Sequence, residues 1–178
     1  MITTFPSPWD APEKLLAMEG HCALITAWCV IKHYRRRTSA DRLIRMCGHT
    51  RPHGVFPVGL AVALMQHGLN VTFHTDPDPN MEPLELRFYQ RAKALRLPVL
   101  PPVTVRELLA HTATGHIPIV HFDTASGEAH TTPLLGERRG RLVLSLWDED
   151  HLSKSQFTKS WTAPKILRQC VIVRGRSA

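Results

Sequence analysis

The stretch Glu19-Gly20-His21-Cys22-Ala23-Leu24-Ile25 decides how this chain is read. Leu24, Ala27, Trp28 and Ile31 follow the cysteine at helical spacing, which predicts an amphipathic or largely buried helix from Cys22 to about Tyr34. Cys22 therefore opens the helix. Free backbone amides and the positive end of the helix dipole favour thiolate over thiol there, and the thiolate is the form that attacks carbonyls. Gly20, just upstream, lets the backbone bend and a substrate approach. An isolated cysteine is more often a small buried core residue, and Cys29, Cys47 and Cys170 keep that ordinary reading.

The run Lys32-His33-Tyr34-Arg35-Arg36-Arg37 closes the same helix, where cations complement the negative dipole end and stay solvated. The net charge of +7 thus reads as a basic surface, and no nucleic-acid motif or interleaved aromatic residue accompanies it. Attraction to an acidic substrate or partner stays open. Further along, Ser39 caps a second helix through Met46, which Gly48 stops. A loop from Thr50 to Phe56 leads to a third helix, about Pro57 to His67, closed by Gly68; Leu69 to His74 reads as a strand.

Proline-rich turns from Asp76 to Pro83 precede a charged surface helix over Leu84–Leu97. Thr104 with Glu107 makes a capping box for a helix through Thr112. The remainder changes character. Ile117–Phe122, Ala129–Leu135, Arg141–Trp147 and Ile166–Val173 read as strands, with turns at Ser126-Gly127 and Arg139-Gly140. The layout is α+β, an N-terminal helical layer packed on a C-terminal, mostly antiparallel sheet. The 178 residues suit a single domain, with 1–12 as an N-terminal extension.

Other classes are disfavoured. The four cysteines form no CxxC pair, so neither a disulfide framework nor a zinc ribbon is expected. Among eleven histidines only His49 and His53 have the i, i+4 interval, and they flank Pro52 in a loop, so neither metal nor cofactor is expected. No apolar run approaches the ~20 residues that span a bilayer. The N-terminus lacks the basic and apolar regions of a Sec-type signal, so synthesis into the cytoplasm is expected, and export as an effector by another route stays open.

The strand-like Glu128-Ala129-His130-Thr131-Thr132-Pro133 can present His130, and the next strand ends in Leu146-Trp147-Asp148. Nucleophile, base and orienting carboxylate arrive in that order. His121 competes with His130 for the base, and Glu149, Asp150 and Asp123 compete with Asp148. Trp147 and Trp161 read as core or groove-wall aromatics.

Taken in register, these pieces resemble the peptidase C39-like group of papain-fold cysteine peptidases. Cys22 opens a long helix that ends at an aromatic step, followed by a short helix and the turn Gly48-His49-Thr50. Gly54 through Gly68-Leu69-Asn70-Val71 resembles the family's helix, Gly-Leu and strand unit, and Gly115-His116-Ile117-Pro118-Ile119-Val120 resembles the strand before the catalytic histidine. His130 matches that histidine and Asp148 the third member of the triad. Two positions depart from the pattern. Ala23 stands where the family often has glycine, and Glu19 stands near the glutamine that lines the oxyanion hole, leaving Glu19 and the Cys22 amide in that region. The resemblance implies a cysteine peptidase or amidase acting on a peptide or protein through Cys22, His130, Asp148 and a thioester acyl-enzyme. A thiol-dependent acyltransferase, a glutamine deamidase and a catalytically silent peptide-binding module are the alternatives on the same fold. Neither the substrate's identity nor the oligomeric state is legible.

Overall fold

The computed structural model describes residues 4–51, 53–124, 127–145, 151–164 and 166–174. Four helices come first: α1 Glu13–Leu16, α2 Cys22–His33, α3 Ala40–Cys47 and α4 Pro57–Gln66. In α2 every residue from Ala23 to Ile31 is buried, so this helix is an interior element and a rigid mount for whatever its first turn carries. Ser39 accepts a hydrogen bond from the Arg42 amide to start α3, and Gly48, at φ 66°, ends it in the left-handed turn that glycine tolerates. The basic run lies where the charge pattern placed it, with Arg35, Arg36 and Arg37 exposed beyond the end of α2.

Helices α3 and α4 touch through Gly59. A Cβ there would lie 2.8 Å from the carbonyl oxygen of Cys47 and 3.2 Å from the Phe88 ring. Gly59→Ala is therefore expected to lower stability by about 1–3 kcal/mol through overpacking. The check is a urea titration, in which the midpoint falls at unchanged slope; an unchanged midpoint would refute the close approach.

Seven strands follow or interleave: β1 Asn70–His74, β2 Val99–Leu100, β3 Ile117–Asp123, β4 Ala129–Arg138, β5 Arg141–Leu144, β6 His151–Ser153 and β7 Cys170–Arg174. They make one sheet in the order β2-β1-β7-β3-β4-β5-β6. Among the described residues only the β1–β2 pair is parallel; the other neighbours are antiparallel, as the sequence pattern implied. Three further helices lie among the described residues: α5 Pro83–Ala94, α6 Val105–Ala113 and α7 Lys154–Trp161. The Thr104–Glu107 capping box opens α6 as expected, and a second box, Ser153 with Gln156, opens α7.

The helices do not form one N-terminal layer. Residues of α2 and α4 pack with Ile117, Ile119, Val171 and Val173 on one face of the sheet. Leu108 of α6 and Phe157 and Trp161 of α7 pack with Val120, Phe122, Leu134 and Ile172 on the other. The cause lies in β3 and β7, whose runs are apolar at successive positions; side chains alternate across a strand, so both faces need cover. The boundaries of two strands also differ. β7 begins at Cys170, because the preceding Arg168 turns away at φ 41° to pair with Asp76 at 2.6 and 2.7 Å. β5 ends at Leu144, Ser145 is outside it, and 146–147 of its expected span lie outside the described residues. Among the described residues no helix is long and apolar enough to cross a membrane.

Candidate active site

The turn into α2 is tightly built. Gly20 sits at φ 63°, and a Cβ on it would lie 3.3 Å from the Gly54 Cα, so two loops meet where glycine alone fits comfortably. His49 Nε2 donates to the Glu19 carbonyl at 2.8 Å, and His21 Nδ1 donates to the Met18 carbonyl, fixing the chain just before Cys22. Cys22 is the first residue of the helix and its side chain is partly accessible.

Strand β4 lies opposite. Thr26, one turn along α2, donates from Oγ1 to the Thr131 carbonyl at 3.0 Å, tying helix and strand together. The amide and hydroxyl of Thr131 and the amides of Ala23 and Cys22 favour the Cys22 thiolate. His130, adjacent to Thr131, lines the same small pocket as Cys22, together with Ile25, Pro133 and Ser145. Its ring stands edge-on to Phe122 at 6.2 Å. The early helix and the later sheet thus bring residues Cys22 and His130 to the lining of one recess, where Thr131 is the β4 residue that acts on the sulfur.

Burial governs the charges in that recess. Desolvation pushes the Cys22 thiol above its ordinary range and outweighs the hydrogen bonds from Thr131 and Ala23 that favour the thiolate. His130 is held down at about 4, first by burial and then by the neighbouring His121 and His21. The helix-start argument for a preformed thiolate is corrected accordingly: the amides act in the expected direction, but the cost of burying the charge is larger. At neutral pH these values give a thiol beside a neutral imidazole. Such an imidazole can accept the thiol proton as the sulfur attacks.

The remaining candidates fall as follows. His121 on β3 is half-buried, with Nδ1 2.9 Å from Thr131 Oγ1, and desolvation holds it at about 4. Glu19 is exposed and is not among the residues that line the pocket. Asp148, with its competitors Glu149 and Asp150, lies outside the described residues, as does Trp147; Asp123 ends β3. Cys29, Cys47 and Cys170 are buried free thiols, with Cys29 and Cys47 pushed up to about 12 by burial. Trp161 is core. His53 stacks on Phe56 at 5.8 Å. Among the described residues no group of three or more His, Cys, Asp or Glu could hold a metal ion. Sequence reasoning missed Thr131, whose only signal was a threonine pair inside an otherwise apolar strand beside the candidate base.

No family model and no curated protein matches this chain. Solved structures do. A double-glycine motif protease from an AMS/PCAT transporter, solved in complex with the leader peptide, aligns over 97% of this chain and 93% of that one, with 14% identity and a TM-score of 0.56. The peptidase domain of Streptococcus ComA, a bifunctional ABC transporter of a quorum-sensing pathway, aligns over 86% of this chain and 91% of its own, also with 14% identity and a TM-score of 0.56. The chain has the α+β, papain-like fold of the C39-like double-glycine peptidase domains, the group that its sequence resembles.

Proposed function

We propose that this chain is a cysteine peptidase or amidase in which Cys22 is the nucleophile, His130 the proton carrier and Asp148 the carboxylate that orients the imidazole. The observation that carries the reading is the shared recess: a cysteine on the first turn of a buried helix and a histidine on β4 line the same pocket. His130 takes the thiol proton as Cys22 attacks the amide carbonyl, and returns it to the departing amine. A thioester remains, and water resolves it with His130 as base. The Cys22 backbone amide, at the first position of the helix, is the oxyanion donor in this reading. Glu19 lies three residues upstream and exposed, and an ionised carboxylate opposes that charge, so the amide bears the role.

The substrate in this reading is a peptide. A double glycine motif protease of the same fold was captured with a leader peptide, which makes peptides carrying a double-glycine motif the first substrates to assay. Alkylation by an electrophilic thiol probe, mapped by mass spectrometry, tests the reading with internal controls. Cys22 is expected to show rapid, pH-dependent labelling that His130→Ala abolishes, while buried Cys29, Cys47 and Cys170 label slowly. Cys22 labelling no faster than Cys29, and indifferent to His130→Ala, overturns it.

A further inference from the structure

We infer that Thr131 stabilises the Cys22 thiolate through its hydroxyl, and that His121 is a positioning residue that holds this hydroxyl toward the sulfur. The inference rests on the reading of Cys22 as the nucleophile. It names two residues that no triad includes.

His121 and Thr131 are directly opposed in the β3–β4 register, so their side chains share a face of the sheet. That face carries Ile117 and Ile119 and packs under α2. His121 Nδ1 is 2.9 Å from Thr131 Oγ1, Thr131 lines the same pocket as Cys22, and its hydroxyl and amide favour the thiolate there. The Thr131 carbonyl accepts from Thr26 Oγ1 at 3.0 Å, so the residue is pinned at its carbonyl by the same helix that carries the sulfur.

A hydroxyl has one proton and two acceptor lone pairs. If its proton points at the sulfur, a lone pair is left for a donor, and His121 supplies one when its single proton is on Nδ1. Burial keeps that imidazole neutral at working pH, so it carries one proton and a fixed role. The arrangement is a directed chain from His121 Nδ1–H to Thr131 Oγ1–H to Cys22 Sγ. No proton is transferred along it. When His130 removes the thiol proton, the bond from Thr131 becomes charge-assisted and strengthens, opposing the burial penalty on the thiolate. Of the titratable groups, Cys29 of α2 and His130 of β4 line the pocket with Cys22, His21 precedes α2 and acts on His130, and His121 of β3 meets Thr131.

The pH profile of Cys22 alkylation in the intact chain tests this. Thr131→Val keeps the shape and removes the hydroxyl; its labelling midpoint is expected to rise by about one pH unit, which slows labelling about tenfold below the midpoint. Thr131→Ser restores the hydroxyl and is expected to restore the profile. His121→Leu shifts the midpoint in the same direction, and His121→Asn, which keeps a donor in place of Nδ1, recovers it. A purely structural role would lower the urea midpoint without moving the labelling midpoint. If labelling still depends on His130 but Thr131→Val and His121→Leu leave the profile unmoved, this inference falls and the nucleophile stands. If labelling ignores His130 altogether, the nucleophile falls with it.

Discussion

His130→Ala is expected to cut kcat on a cleavable peptide by about 100-fold to 10,000-fold with KM little changed, and Cys22→Ala to abolish turnover. The first magnitude is what a positioned general acid and base contributes. The second follows because no acyl-enzyme forms without the sulfur. The loss belongs in kcat because proton transfer matters only as the bond is made and broken. Asp148→Asn gives the sharper test. Burial, His121 and His21 hold His130 at about 4. An ionised carboxylate paired with the imidazole favours its cation and raises that value. The acid limb of kcat/KM should therefore lie above pH 4 in the natural chain and move down toward about 4 in Asp148→Asn, with a lower plateau. Profiles from pH 4 to 8 decide it. An unmoved limb removes Asp148 from its role and directs the same substitution to Glu149 and Asp150.

Local signals made much of this molecule legible. Ser39, Gly48 and the Thr104–Glu107 box mark helix ends through hydrogen bonds made within a few residues, so those ends were readable within about two positions. The helix that starts at Cys22 and the strand that carries His130 were also legible, because both are strongly patterned. What escaped depends on contacts distant in sequence. The Ser153–Gln156 box is equally local, but the sequence reading places no helix after Trp147, and α7 covers the sheet face that the layered expectation left bare. The thiol's protonation escaped for a different reason. Helix-start amides are local and readable, whereas desolvation depends on how closely β4 approaches, and it decides the balance. Thr131 matters through its contacts with Thr26 and His121, and only the fold places the three together.

Acidification from pH 6.5 toward 4 should destabilise the fold, with His121 contributing about 3 kcal/mol of the loss. In the folded chain burial holds His121 at about 4, against an ordinary value of 6.5. The unfolded chain therefore binds a proton between those values that the folded chain refuses. Stability is fully present above about pH 6.5, falls through the window and levels off below about 4; the magnitude follows from 1.36 kcal/mol per pH unit. His33, His111, His116 and His130 are depressed in the same direction and add to the slope. Most carboxylates titrate lower, so the interval from pH 6.5 to 5 isolates the histidines. A typical domain has ~5–15 kcal/mol in total, so this loss is large enough to move a urea midpoint plainly. His121→Asn should remove about one proton from the slope of unfolding free energy against pH while retaining the hydrogen bond to Thr131. Stability that stays flat from pH 6.5 to 5 would mean that His121 is solvated, and the hydroxyl of Thr131 would then lose the fixed donor on which its orientation depends.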